Sequence, residues 1–440
     1  MNFEALEAGA IIIGALFMCI VLSLPVAFAF ILVSVLGMWM LIGGDAGIKQ
    51  IVVNGADSVT NFALVPVPMF FLMGELFFRT GLAVKVFDAF DALFGNLRAR
   101  LSYVTIAGGT AFAALTGTSM GNTALLGSLM IPEMEKRGYK LHMSVGPIVA
   151  TGGLGMIIPP SSLAVLLGSI ARIDIGKLLI AGLGPGLVLA ALYATTVWIS
   201  AKIDPDAAPE FDVESRVRGW ALAKLFAVNV LPMAGIVVLV VGVIILGIAT
   251  PSEAAAFGVL GVLATAALFR CLSLKALFLA LKGTLAVTAM MLLIIIGSST
   301  FSQILAISGA TQEIIGTLRD LDIGPYGFLM IALILLFFLG MLMDPLSIML
   351  LTIPILFPLI DTYGFDPIWF GIVMLLMIEI SMATPPFGLG LFVMLGVAPK
   401  GTKLGHVVSA SIPYIGCDLI CVILITLVPA IVLFLPGLMS

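Results

Sequence analysis

Apolar runs long enough to cross a bilayer recur from one end of this chain to the other, and no other feature restricts its fold as much. "AIIIGALFMCIVLSL", "VAFAFILVSVLGMWMLIG" and "CVILITLVPAIVLFL" are three of them. A hydrocarbon core about 30 Å thick takes about 20 apolar residues of helix, and backbone polar groups inside it must find partners within the protein. With 61% hydrophobic and only 10% charged residues, and a mean hydropathy of +1.26, the whole chain follows this pattern. A soluble domain would carry about 25% charged residues. The expected fold is therefore an all-α polytopic membrane protein whose solvent is the lipid bilayer. The formal charge of -4 says little about partners, and nucleic acid is not among those expected. Glu4 and Glu7 stand where a secretory leader would be basic, and no small-residue cleavage site follows, so the first run is read as a retained span. Cys19, Cys271, Cys417 and Cys421 lie in or beside apolar runs, and His142 and His406 are far apart, so no transition-metal site is expected.

Self-similarity organises the chain. A shift of 226 residues lays Pro25 on Pro251, Pro132 on Pro358, and Gly138-Tyr139 on Gly364-Phe365. The same shift lays Pro159-Pro160 on Pro385-Pro386. Two repeats result, at 1–201 and 231–440, joined at 202–230 by "KIDPDAAPEFDVESRVRGWALAK" and its flank, read as an extramembrane, amphipathic linker. Repeat one is read as helices near 9–24, 26–43 and 60–78, a glycine-bearing re-entrant hairpin at 101–134, a proline-broken helix at 143–171 and a final span near 177–200. Repeat two has its hairpin at 326–358 and its broken helix at 369–397. Each repeat then crosses about five times, and an odd number inverts the second repeat relative to the first.

Charge supports this count. With both termini outside, sixteen of the twenty Lys and Arg are cytoplasmic, leaving Lys49, Arg172, Lys177 and Arg319 outside. The first hairpin then enters from the cytoplasm and the second from the periplasm.

"GGLGMIIPPSSLAVLLG" (152–168) breaks an apolar helix at Pro159-Pro160. An interior proline costs about 3 kcal/mol or more, and unpaired backbone in lipid costs more still, so such breaks occur where neighbours, water or an ion satisfy the freed groups. A packing kink would explain one proline; a doublet repeated at the symmetry-related position points to a binding site. Glycines precede the doublet, and Ser161 and Ser162 follow it. The hairpin tip "LTGTSMGNTALLG" gathers Thr116, Thr118, Ser119, Asn122 and Thr123 around Gly117 and Gly121. Such neutral oxygens, with unwound carbonyls, suit Na⁺, and the start of the return helix offers N–H groups to an anion. In the second tip, "FLGMLMDPLSIMLLTIP" supplies Gly340, Asp344, Ser347 and Thr352. Asp344 suits a helix N-cap, and an acid at membrane depth also suggests a cation or proton role.

Glu253 in "GIATPSEAAAFG" is read as part of a capping box with Thr250. Glu75, Glu379 and Asp418 sit inside apolar segments, and the sequence does not rank them. No "GK[ST]" phosphate loop is present, so an ion gradient, not ATP bound by this chain, would drive any transport.

Over essentially its whole length the chain resembles the large membrane subunit, DctM or SiaM type, of the tripartite ATP-independent periplasmic (TRAP) transporters. The resemblance rests on "LPVAFAF", "GTSMGNTALLGSLMIPEMEKRGY", "IIPPSSLAVLLG", "AGLGPGL", "GIATPSEAAAFG", "GMLMDPLSIMLLTIPILFPL" and "ATPPFGLGLFV" in that order. It implies a Na⁺-driven importer of an organic acid, of the C4-dicarboxylate, keto acid or sialic acid class, in the bacterial inner membrane. It also implies an elevator mechanism and two partners: a small membrane subunit of DctQ or SiaQ type, and a periplasmic binding protein of DctP or SiaP type. As the chain begins without an extra helical bundle, the small subunit is expected to be a separate polypeptide. No cofactor is expected beyond Na⁺ as coupling ion.

Taken together, the residue reading and the resemblance assign Na⁺ to Thr116, Gly117, Thr118, Asn122, Gly155, Pro159, Gly340, Asp344 and Thr384. They assign substrate to Ser119, Ser161, Ser162, Ser347, Pro386 and Gly388. The family hairpin often carries Asp where this chain has Asn122, which removes a negative charge from that position and leaves ion stoichiometry and substrate charge open. A stand-alone ion-coupled carrier without a binding protein is the alternative. An intramembrane enzyme would need a nucleophile with its base, or paired acids at metal-ligand spacing, and the chain shows neither.

Overall fold

A computed structural model describes every residue except 1–4, 23, 61, 96, 117–118, 210–218, 311–312, 314–315, 317–322, 386–387 and 440. Among the described residues the secondary structure is helical, with no strand. Six helices are long and apolar enough to cross a membrane, or eight if the two bent pairs, Pro66–Arg79 with Leu82–Phe94 and Trp220–Asn229 with Leu231–Ile245, each count as one span. Shorter apolar helices, Pro325–Met341 and Pro367–Met382 among them, accompany these.

The 226-residue offset survives in the helix bounds. Ser119–Lys136 maps onto Pro345–Thr362, and the starts of Leu141–Gly153 and Pro367–Met382 coincide. One of the expected elements differs from the structure. The span read as ending at 43 continues through a π-helical turn, Trp39–Gly43, into Gly44–Val59. In the second repeat Leu274–Ile307 runs uninterrupted for 34 residues.

These helices build a peripheral layer. Leu274–Ile307 packs along Val26–Met38, Gly44–Val59 and Pro66–Arg79, while Pro251–Leu268 packs on Pro66–Arg79 and on Leu231–Ile245. Between apolar helices in lipid, polar side chains act as local adhesives because no water competes for them. Ser58 donates to Ser299 Oγ at 2.6 Å, Ser34 to the Gly297 carbonyl at 3.2 Å, and the Asn54 amide pairs with Gln303. Outward, Leu268, Leu274 and Leu285 are exposed, as a face toward lipid tails would be.

The hairpins and broken helices form the more buried unit. Leu141–Gly153 packs on both arms of hairpin one, Arg100–Thr116 and Ser119–Lys136, and on Leu404–Leu427. Pro367–Met382 packs on both arms of hairpin two, Pro325–Leu342 and Pro345–Thr362, and is buried without interruption from Trp369 to Met382. A helix apolar on all sides is an interior helix; Trp369 accordingly spends its one polar group on the Ile425 carbonyl, at 2.9 Å. Each hairpin doubles back on itself. Leu101 N donates to Tyr139 Oη at 3.3 Å at the base of the first, and the Phe328 and Tyr363 rings stack at 4.6 Å at the base of the second. The repeats interlock: Ser119–Lys136 lies on Leu389–Val397, and Pro345–Thr362 on Ser162–Ala171.

Three loops assigned to one membrane side by charge meet in the structure. Arg98 donates to the Pro205 carbonyl at 2.9 Å, and Lys140 pairs with Asp204 at 2.5 Å. The hydrogen bond from Lys140 holds the Asp204 carboxyl below the usual carboxylate range.

Helix Pro251–Leu268 begins as its sequence requires. Thr250 Oγ1 accepts from Glu253 N at 3.4 Å, and Glu253 Oε2 accepts from Thr250 N at 2.8 Å. Thr250→Ala is expected to lower stability by about 1 kcal/mol without changing uptake, as read by a thermal melt beside a transport assay.

Candidate functional site

Both breaks lie deep in the buried unit. In repeat one, Leu141–Gly153 ends in a 3₁₀ turn, Leu154–Met156, followed by the Pro159-Pro160 step before helix Ser162–Ala171 begins. Ser161 serves that restart, because its hydroxyl accepts from Ala164 N at 3.2 Å and donates to the Met156 carbonyl at 2.7 Å. In repeat two, Pro367–Met382 stops and Leu389–Val397 resumes after Gly388. A Cβ at Gly388 would lie 2.5 Å from the Met382 carbonyl oxygen and 2.6 Å from that of Thr384, so backbone alone fits there.

At the tip of hairpin two, Asp344 caps helix Pro345–Thr362 by accepting from Leu346 N at 3.1 Å and Ser347 N at 3.2 Å. The Ser347 hydroxyl donates to the same carboxylate. At hairpin one, the Asn122 amide group donates to the Thr151 carbonyl at 3.0 Å and reaches that of Gly152 at 3.5 Å. Its Oδ1 is buried and has no hydrogen-bond partner. The Ser119 hydroxyl hydrogen-bonds the Glu379 carboxylate, which reaches across from the second repeat. Glu379 Oε2 is likewise buried without a hydrogen-bond partner. Its carboxylate lies over Gly153, where any Cβ would collide with Oε1. Behind it, the buried Tyr193 hydroxyl donates to Asp418 Oδ1.

A cavity of about 310 Å³ opens where these elements face the peripheral layer. Ser119 and Gly121 of hairpin one and Asp344 and Leu346 of hairpin two line it, with Met156 and Met382 from the two breaks. Phe71 and Glu75 of Pro66–Arg79, and Thr284 and Met290 of Leu274–Ile307, complete the wall. Both repeats and both layers therefore converge on one largely apolar chamber with a few polar groups, the usual form of a small-molecule site.

The structure brings the predicted residues together unevenly. Ser119 and Asp344 reach the cavity wall, while Asn122 lies buried at the first break. Gly155, Pro159, Ser161, Ser162 and Gly388 near the breaks, and Ser347 at the second tip, are buried but do not line the cavity. Gly340 lies against Ser381, and the Thr384 hydroxyl donates to the Ile380 carbonyl at 2.6 Å. Thr116 ends the first arm of hairpin one. Gly117, Thr118 and Pro386 lie outside the described residues. Sequence reasoning left Glu75, Glu379 and Thr284 without a role, although each faces this region. For Glu379 the repeat offset held the signal: it occupies the position equivalent to Gly153, which it touches.

Comparison with known proteins matches this architecture. Residues 13–431 match the family described as "Tripartite ATP-independent periplasmic transporter, DctM component". The C4-dicarboxylate TRAP transporter large permease protein DctM of Pseudomonas aeruginosa is 31% identical over 401 residues, covering 90% of this chain and 92% of that protein. The ectoine/5-hydroxyectoine TRAP transporter large permease protein UehC of Ruegeria pomeroyi is 30% identical, covering 94% and 96%. Among solved structures, the YdaH transporter of Alcanivorax borkumensis superposes with a TM-score of 0.64 at 12% identity, over 87% of this chain and 90% of that one, a likeness of fold. With the family match spanning both repeats, both hairpins and both breaks, the chain belongs to the DctM component family of the tripartite ATP-independent periplasmic transporters.

Proposed function

We propose that this chain is the Na⁺-coupled import permease of a three-part system for a small organic acid, with the chamber between the hairpin tips as the substrate site. The observation that carries this reading is the convergence of both tips and both breaks on one cavity facing the peripheral layer. Inverted repeats with midplane breaks are the construction that secondary transporters use for alternating access. Here the helix start at Ser119 offers N–H groups to an anion, whereas the one at Pro345 is closed by the Asp344 cap. Glu75, paired with Arg79 at 3.0 Å, and Asp344 also line the chamber, and among the described residues no Lys, Arg or His does, so the substrate carboxylate enters with its coupling ions and is held by polar backbone and Ser119.

In this reading the chain crosses the inner membrane about ten times with both termini periplasmic, and the second repeat is inverted. The buried unit of hairpins and broken helices moves as an elevator past the peripheral layer. The small membrane subunit covers part of that layer, and a periplasmic binding protein of DctP type delivers the substrate. Family membership and the names of the relatives support the partners; an acid related to C4-dicarboxylates or a zwitterion such as ectoine fits the relatives' range.

The test is uptake of labelled organic acids into proteoliposomes holding this chain with its small subunit, with and without the binding protein. Uptake is expected only with an inward Na⁺ gradient and with the binding protein present. Uptake by the chain alone would replace this reading with a stand-alone carrier.

A further inference from the structure

Two buried acceptor oxygens without partners, Oδ1 of Asn122 and Oε2 of Glu379, belong to different repeats, on side chains that both meet the Thr151–Gly153 segment. Asn122 is 0% exposed and is oriented by its bonds to the carbonyls of Thr151 and Gly152. Glu379 is 5% exposed, lies over the next residue, Gly153, and is hydrogen-bonded by Ser119, three residues before Asn122 on the same arm. The ionisable group beside it is another acid, Asp418, which the Tyr193 hydroxyl occupies. Among the described residues no Lys, Arg or His forms an ion pair with Glu379. An isolated buried carboxylate is costly unless a proton or a cation neutralises it, and each unsatisfied buried acceptor calls for a partner that donates or carries positive charge.

We propose that Glu379 supplies the negative charge of a monovalent-cation site where the tip of hairpin one meets the Thr151–Gly153 break, with Asn122 Oδ1 as a neutral ligand beside it. This rests on the Na⁺-coupled reading above and gives one of its sites an anionic ligand from the opposite repeat. One carboxylate among neutral oxygens suits a monovalent ion, whereas divalent Ca²⁺ sites recruit several carboxylates. Gly153 is part of the design, because a side chain there would displace the carboxylate. The cation would also join the repeats: its charged ligand comes from Pro367–Met382 and its neutral one from the return arm of hairpin one.

The experiment is Na⁺-dependent thermal stabilisation of the purified full chain, with choline holding ionic strength constant. The wild type is expected to show a Na⁺-specific rise in Tm, and Glu379→Gln to need about tenfold more Na⁺ or higher for half the effect, as loss of about 1.4 kcal/mol of binding would give. The double variant Asn122→Asp, Glu379→Gln returns the charge to the same junction and is expected to recover the response. A wild-type Na⁺ midpoint in Glu379→Gln overturns the assignment and leaves Na⁺ coupling standing, since glutamine mimics a permanently protonated acid. A wild type without any Na⁺-specific response overturns both. Should Glu379→Gln fail to fold, Asn122→Asp alone decides: a second carboxylate at a shared site shifts the Na⁺ midpoint, and an unchanged midpoint overturns the proposal.

Discussion

Replacing Asp344 with asparagine is expected to abolish most uptake while leaving the fold intact, and replacing it with alanine is expected to damage both. Asparagine keeps an oxygen to accept from Leu346 N and Ser347 N, so the helix start at Pro345 survives. Alanine removes the cap, at a cost of about 0.5–2 kcal/mol. The lost charge matters separately because Asp344 lines the chamber. A contact to a charged group contributes about 1.5–3 kcal/mol, which is roughly 10- to 150-fold in affinity. Thermal melts beside Na⁺-titrated uptake separate the two effects. Full uptake in Asp344→Asn would confine this residue to capping.

Gly340→Leu is expected to damage both fold and uptake. Gly340 lies in the first arm of hairpin two, and a Cβ there would collide with the side chain of buried Ser381 on the second broken helix. Overpacking of this kind typically costs about 1–3 kcal/mol, and here it would also wedge the hairpin away from the helix on which it rests. Gly235→Leu is the control, because a Cβ there meets nothing within 4 Å. Both variants should be compared by Tm and by uptake; equal behaviour would mean that hairpin two tolerates displacement from its helix.

Much of this architecture was legible in the sequence because backbone punctuation records it. The hairpin read at 101–134 is the helix pair Arg100–Thr116 and Ser119–Lys136, and the Thr250 box forms as its spacing requires. The sequence reading places no helix at 44–59, since Gly43-Gly44 and the polar residues after it look like a helix end. Two of its polar residues instead face a neighbouring helix: Asn54 and Ser58 find Gln303 and Ser299 across the peripheral layer. Periodicity within one segment carries no information about a partner about 250 residues away. Hydroxyls read as candidate ligands also have structural duties. Ser161 and Thr384 spend their side chains on nearby backbone, which a helix break in an apolar medium demands first. Glu379 had no local signature at all, and its meaning came from Gly153 and Ser119, on other elements.

The interlock between repeats bears on how such a chain is made. Ser119–Lys136 rests on Leu389–Val397, which a ribosome adds more than 250 residues later. At synthesis rates of about 5–20 residues per second, the first hairpin spends on the order of ten seconds or more in the bilayer before its resting surface exists. During that interval its polar tip has neither the second repeat nor the chamber to shelter it. The first repeat is therefore a client of whatever shields half-made membrane proteins, and release from that shield becomes complete only when the last broken helix has been inserted.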